Sequence, residues 1–363
     1  MPRALQHPAR LVPLAFLLAI GLGTGLLMLP AARAGGGGAP FLTALFTATS
    51  AVSVTGLTVQ DTPTYWSGVG QGIILALFQV GGLGIMSGAT LLGLLVARRL
   101  RLSTRLLAQA ETRSLALGDV VGVLRLVLRD LRRNALRAAR WSLHTKITLL
   151  GTGLLLLGGT AAVLAYEWGN PATLGPRGPA GKLLGAAFHS AMTRSGGFNA
   201  FDVGEVRPET LAVSYVLMMI GGGSAGTAGG IKVTTFLVLG LVVWAEIRGE
   251  PDVAAFGRRV SRDVQRQALA VALLAVGFVG TATLVLLSVS DLALDDALFE
   301  VVSAFATVGL STGVTADLPP AGQALLAALM FLGRVGTVTV ATGLALRGRR
   351  TPYRYPEERP IVG

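Results

Sequence analysis

Long apolar runs alternate along this chain with short stretches rich in glycine and hydroxyl residues, and the runs come in pairs. Leu11 to Pro30 and Ser67 to Ala97 flank Phe46 to Asp61, which reads FTATSAVSVTGLTVQD. Ser142 to Glu167 and Leu211 to Trp244 flank Phe188 to Asp202, FHSAMTRSGGFNAFD. Gln267 to Val289 and Pro320 to Leu346 flank Phe299 to Gly313, FEVVSAFATVGLSTG. Each long run has at least about the 20 residues a helix needs to cross a bilayer. Each short stretch opens on Phe, carries small and hydroxyl residues for about two helical turns, and reaches Gly followed by Leu or Phe.

The pattern predicts an all-α polytopic membrane protein built of three span–pore loop–span repeats in a potassium-channel-like arrangement. That is six transmembrane helices and three re-entrant pore helices, the latter at Phe41 to Ser53, Gly181 to Thr193 and Asp295 to Ala306. Non-helical backbone at membrane depth must line a pore or be buried in protein, because lipid leaves its amides and carbonyls unpaired. A ring of carbonyls on such loops substitutes for the water shell of a permeating cation, and Gly tolerates the backbone angles this needs. The candidate ion contacts are therefore backbone carbonyls of Val54, Thr55 and Gly56, of Ser195, Gly196 and Gly197, and of Thr307, Val308 and Gly309. K+ is the expected permeant ligand at these residues, and no other metal, cofactor or catalytic residue is expected.

Two stretches break the regularity. Leu211 to Trp244 contains Gly221 to Lys232, GGGSAGTAGGIK, whose glycine density cannot sustain a helix. A broken helix lining an aqueous path fits this segment. The GxGxxG within it lacks the βαβ setting of a dinucleotide site, and Ile231 separates Gly230 from the Lys232 that a phosphate loop would need. Gly222, Gly223, Ser224, Gly226, Gly229, Gly230 and Lys232 are candidate gating residues. Arg334, near the middle of the last helix, joins them, since an intramembrane arginine marks a functional site by default. It is expected to hold the glycine loop across the path through carbonyls that the break sets free. The second irregular stretch, Arg98 to Arg140, carries 11 Arg and reads as an amphipathic cytoplasmic or interfacial helix. In the first membrane-spanning pair, Gly81, Gly82, Gly84 and Gly88 predict close helix contact.

Composition agrees: 52% of residues are hydrophobic and only 14% charged, against about a quarter charged in soluble domains. Without cysteine there is no disulfide framework or thiolate metal site, and the three His are far apart. The formal charge of +12 sits in segments that would lie on one side of the membrane, so it marks topology rather than nucleic acid. That rule places both termini in the cytoplasm of a multi-pass plasma or inner membrane protein. Asp61, Asp202, Glu205, Asp291, Asp295, Asp296 and Asp317 then face outward. Ala32-Arg33-Ala34 resembles a signal-peptidase site, but the apolar run before it exceeds the usual length, so retention is expected. A hydrolase using Ser224 and His189 is disfavoured, because His189 falls within a pore helix; the chain is not expected to be an enzyme.

These stretches resemble the potassium uptake membrane subunits of the Trk/Ktr/HKT family, KtrB-type proteins above all. TATSAVSVTGLTVQD is similar to the family's first pore loop, HSAMTRSGGFNAFD to its third, and FEVVSAFATVGLSTG to its fourth. GGGSAGTAGGIKVTTF resembles the intramembrane gating loop, and MFLGRVGTVTVA the last helix with its gate-contacting arginine, here Arg334. The resemblance implies potassium uptake, with sodium as a second candidate, by a homodimer seated on a cytosolic nucleotide-binding regulatory ring. The family has four repeats, whereas the 44 residues between Ala97 and Ser142 cannot hold two spans and a pore loop. The expected division is therefore a first repeat, 1–97, and a basic linker, 98–141, where the second repeat is absent. A repeat like the family's third follows at 142–250, one like its fourth at 251–350, and a cytoplasmic tail at 351–363. The alternative is a truncated, non-conducting paralogue or defective gene product.

Overall fold

The computed structural model describes residues 8–35, 37–84, 130, 141–223 and 228–346. The linker 98–141 (except Asp130 and Trp141) and the tail 351–363 lie outside the described residues. So do Ser224 and Gly226 of the glycine-rich segment.

The described chain is helical apart from one two-residue hairpin, Ala254–Ala255 with Arg258–Arg259. In order the helices are α1 (Pro8–Leu27), α2 (Phe41–Ser53), α3 (Gly68–Gln79), α4 (Leu143–Glu167) and α5 (Pro179–Met192). They continue as α6 (Pro208–Met219), α7 (Val233–Ile247), α8 (Arg262–Val289), α9 (Leu294–Phe305) and α10 (Pro320–Leu346). α4 and α8 are long and apolar enough to cross a membrane. Their outer faces present Leu154, Leu157, Leu273 and Leu284, all well exposed. An apolar surface of that extent calls for an apolar solvent.

The short helices α2, α5 and α9 sit inside, each held by longer ones. α2 packs on α1, α3 and α10; α5 packs on α4; α9 packs on α6, α8 and α10. Small residues set two of these distances. A Cβ on Gly81 would lie 1.9 Å from the Val52 carbonyl, and one on Gly333 would lie 1.8 Å from the Phe305 carbonyl. Each glycine thus lets the chain touch the last turn of α2 or α9; of the four glycines expected to make close contact in the first pair, Gly81 does so, and Gly88 lies outside the described residues. Just there the helix after α3 widens into a π turn, Val80–Gly84, which loosens its hydrogen-bond ladder.

The packing is uneven around the centre. α1–α3 lean on α10, and α6 and α7 lean on α9 and α8. Among the described residues, no helix of α1–α3 packs to a similar extent against α4–α7.

Candidate functional site

α2, α5 and α9 each end in a non-helical loop, and the three loops meet. Eight residues after the opening Phe, Val54 and Thr307 are left-handed, with φ of 58° and 51°. Two residues later Gly56 and Gly309 take φ of 99° and 92°. The middle loop is one residue shorter and makes its turn with Gly196 (φ 138°) and Gly197 (φ 68°). A non-glycine residue at positive φ costs about 1–2 kcal/mol. Val54 and Thr307 therefore mark places where surroundings override local preference.

The three glycines are in mutual contact range. A Cβ on Gly309 would stand 2.0 Å from the Thr55 carbonyl and 3.0 Å from Gly197 Cα. One on Gly197 would stand 3.2 Å from Gly309 Cα, Thr55 O and Val308 O. One on Gly56 meets nothing nearer than 3.8 Å. The glycines floor a bowl of about 630 Å3 whose wall includes Asp61, Asn199 and Asp317. Carboxylates at the mouth of such a bowl raise the local cation concentration.

Serines aim the first and third loops. Ser50 Oγ accepts from the Gly56 amide at 3.1 Å and donates to the Leu57 carbonyl at 2.7 Å, while the Ser50 carbonyl takes the Thr55 amide at 2.9 Å. In the same way Ser303 Oγ accepts from the Gly309 amide at 3.2 Å, and its carbonyl takes the Val308 amide at 2.9 Å. Binding the amides back to the parent helix turns the loop carbonyls the other way. Sequence reasoning missed both serines, although their shared spacing of six residues before the glycine was readable. The middle loop has Ala191 at that spacing. The Gly196 amide, one residue before the matching Gly197, donates to the Val308 carbonyl of the third loop at 3.3 Å.

Two buried carboxylates, also missed, brace the loops from behind. Glu300 accepts from Ser311 Oγ at 2.5 Å, the Thr312 amide at 3.1 Å and Thr315 Oγ1 at 2.6 Å. Glu167 accepts from Asn170, Thr173, Thr210 and the Arg207 amide, tying the end of α4 to the start of α6. A charge inside an apolar run, as at Glu300, was the available signal.

Beneath the third loop lies the glycine-rich segment. α6 ends at Met219 and α7 starts at Val233, so the helix breaks where predicted. Ile220 and Ile231 pair as a parallel bridge, with the Gly221 amide donating to the Ile231 carbonyl at 2.8 Å. Gly229 fastens this segment to the third loop. Its amide donates to the Ala306 carbonyl at 3.0 Å and to Thr307 Oγ1 at 2.9 Å. A Cβ there would come within 2.8 Å of both acceptors. Gly222 is partly buried and its carbonyl accepts from the Val233 amide at 3.3 Å; Gly223 packs on Thr148. Gly230 turns at φ 62°, and Lys232 Nζ donates to the Ala228 carbonyl.

Arg334 is buried as expected, and among the described residues its hydrogen bond runs to the Gly81 carbonyl at 3.2 Å; the centre of the glycine-rich segment, 224–227, lies outside the described residues. The wide turn at Val80–Gly84 is the nearer source of a loosened carbonyl. Its Nε and Nη1 have no partner among the described residues. Arg194, buried behind the middle loop, spans from the Thr152 carbonyl at 3.4 Å to the Gly221 carbonyl of the glycine-rich segment at 3.5 Å. His189 stacks on Phe201 and pairs with Ser214 at 3.1 Å, and Ser214 Oγ in turn donates to the Thr210 carbonyl. Both are buried, which makes this pair part of the packing between α5 and α6.

Comparison with known proteins adds three findings. The model of the TrkH family, described as cation transport protein, matches residues 170–347. The chain is 30% identical to Ktr system potassium uptake protein B of Bacillus subtilis (strain 168), over 98% of this chain and 97% of that protein. It is 31% identical to the Ktr system potassium uptake protein B of Vibrio alginolyticus, over 88% of each. The Bacillus alignment runs over 434 positions, whereas 98% of 363 residues is about 356, so about 78 positions have no residue in this chain. The crystal structure of the potassium transporter TrkH from Vibrio parahaemolyticus shares the fold, with a TM-score of 0.63 at 15% identity, covering 93% of this chain and 85% of that one. The helices, their apolar outer faces and the converging glycine loops are thus those of an all-α membrane transporter fold, and the chain belongs to the Trk/Ktr family of potassium uptake membrane subunits.

Proposed function

We propose that this chain carries potassium, with sodium as a second candidate, across the cell membrane along the axis where its glycine loops meet. The observation that carries the reading is the contact of Gly56, Gly197 and Gly309 at the floor of an acid-walled bowl. Carbonyls of the nine loop residues would replace the ion's hydration shell. The glycine-rich segment, fastened to Ala306 and Thr307, would gate the path from below. Buried Arg194 and Arg334 would add a positive barrier while it is shut. The topology that goes with this reading has six spans, three re-entrant loops, a cytoplasmic linker at 98–141 and cytoplasmic termini. Names of the form "Ktr system" for its relatives support further components; the arrangement proposed is a homodimer on a cytosolic nucleotide-binding ring. The expressed chain should restore Rb+ uptake to cells lacking potassium transporters, and folded chain at the membrane with no uptake would overturn the proposal.

Specific observations favour a second reading, a shortened and non-conducting relative. About 78 aligned positions without a residue here amount to one span–pore loop–span repeat. The linker is where the sequence leaves no room for one, and α1–α3 lack broad packing on α4–α7. The same uptake measurement separates the two.

A further inference from the structure

Away from the glycine loops, one end of the molecule carries a patch that conduction does not use. The hairpin of Ala254–Ala255 with Arg258–Arg259 follows α7 and leads into α8. Its flanks Val253 and Val260 are buried with Ala245 of α7 and Ala268 of α8, and Leu143 of α4 packs against this cluster. The hairpin therefore lies where α7 ends and where α4 and α8 begin. At that level these helices change character. α4 exposes Leu149 and Leu150, α8 exposes Leu269 and Leu273, and α7 exposes Val243 and Trp244. About one turn further towards the hairpin come Lys146, Arg266 and Arg248. A bilayer crossed by α4 and α8 has its headgroup level at such a switch.

Arg258, Arg262 and Arg266 are exposed and have no ion pair among the described residues. Arg248 pairs with Glu250 at 3.8 Å and Arg259 with Asp252 at 3.2 Å. Glu246 and Asp263 are the other carboxylates of residues 246–266, so positive charge prevails. The hairpin tip, Phe256-Gly257, has φ of 52° and 72°, a tight turn whose preferred pair is Asn-Gly. Phe256 is strained there, 51% exposed, with Lys146 Nζ 5.4 Å from its ring centre. Trp244, also exposed, lies under the Arg248 guanidinium. We propose that this end binds an anionic phospholipid, its phosphate on Arg258, Arg262 and Arg266, with Phe256 and Trp244 at the upper acyl chain. An acidic protein face would match the charge, but not exposed rings at the edge of an apolar band, where aromatic belts lie. The proposal rests on α4 and α8 crossing a bilayer and is measured without ion flux.

The chain has no cysteine, so a single introduced one reports locally. Ser261 precedes α8 with no capping bond from its side chain, and Ser288 is exposed near the opposite end of α8. The purified full chain carrying Ser261→Cys or Ser288→Cys, labelled with a small fluorophore, is reconstituted in phosphatidylcholine bilayers. Brominated phosphatidylglycerol or brominated phosphatidylcholine is then added as quencher. At position 261, phosphatidylglycerol should half-quench at about one-fifth the mole fraction that phosphatidylcholine needs, the scale of one cation near an anionic surface. At position 288 the two lipids should be equal. Arg262→Gln with Arg266→Gln should cut the preference to about twofold or less. Phe256→Asn should cut it too while Tm holds or rises, because Asn suits the turn; a merely structural Phe256 would give a lower Tm and an intact preference. Equal quenching at 261 overturns the proposal. So does a preference that survives both arginine changes, which leaves the patch to an acidic protein face. The same preference at 288 would show general attraction to a cationic protein and overturns it as well. Failure of these proteins to move Rb+ bears on conduction alone.

Discussion

Around the third loop every residue from Phe299 to Leu310 is buried, and Leu310, next to the glycine, is 2% exposed. Around the middle loop, Leu183 and Leu184 of α5 stand out, and Phe198, which follows Gly197, is 70% exposed. The first loop sides with the third: Leu57, the matching residue, is 1% exposed. Three stretches of similar sequence therefore sit in two kinds of surroundings. α9 is enclosed by α6, α8 and α10 and α2 by α1, α3 and α10, while α5 packs chiefly on α4. A loop keeps its carbonyls directed only if its flanking side chain is also held, and the middle loop lacks cover for Phe198.

The sharpest way to break this contrast is to strain the enclosed loop. Gly309→Ala places a methyl 2.0 Å from a carbonyl oxygen at a φ of 92°. Left-handed strain of about 1–2 kcal/mol adds to overpacking of about 1–3 kcal/mol. K+ binding should fall more than tenfold, with a lowered Tm; unchanged binding in folded protein would remove Gly309 from the site. Gly197→Ala should lie between Gly309 and Gly56, since its neighbours start at 3.2 Å.

Next come the two buried arginines, which distinguish the loops from below. Arg194 connects the middle loop to the glycine-rich segment, and Arg334 connects α10 to the π turn after α3. Arg194→Gln should loosen the segment and raise Rb+ flux per folded molecule several-fold. Arg334→Ala should raise it too, by removing positive charge from the path. Lower flux in both variants, with measurable flux in the parent, would exclude these arginines from the barrier.

A smaller effect is expected from the carboxylate behind the third loop. Glu300→Gln replaces an oxygen by an NH2 that cannot accept, against three donors. Hydrogen bonds to a charged group contribute about 1.5–3 kcal/mol, so stability should drop by about 2 kcal/mol and the Ser311–Thr315 turn should exchange its amides faster. Protection unchanged at Thr312 would mean that the turn is held by something else.

Much of this contrast was readable beforehand, and the unread part has physical reasons. The paired apolar runs, the short helices and the break at Gly221 to Lys232 follow from hydropathy and glycine content, which are local. The convergence of the three glycine loops follows from their shared setting between paired apolar runs. What the residues did not disclose was direction. That Arg334 reaches Gly81 depends on a carbonyl loosened by a π turn, and that turn carries no unambiguous sequence mark. Ser50 and Ser303 read as ordinary small residues of a pore helix until their oxygens are seen against the loop amides. The inequality of the loops was hidden for the opposite reason: Phe198 looks like Leu57 and Leu310, and exposure depends on neighbours far along the chain.

The gentlest perturbation sharpens the comparison most. Gly56 and Gly309 occupy matching positions with nearly equal φ, 99° and 92°, and each has its amide on a serine hydroxyl. They differ in space. A Cβ on Gly56 first meets Gly197 Cα at 3.8 Å, ordinary van der Waals distance. Gly56→Ala therefore carries the left-handed strain alone, about 1–2 kcal/mol, with no overpacking. It should lower Tm modestly and weaken K+ binding by less than threefold, while Gly309→Ala exceeds tenfold. Equal losses at the two glycines would show that φ strain dominates and that the loops are enclosed alike. A larger loss at Gly56 would mean that a fourth element fills the open side and crowds the first loop. The unequal result is the one expected from three loops around an axis with one side uncovered.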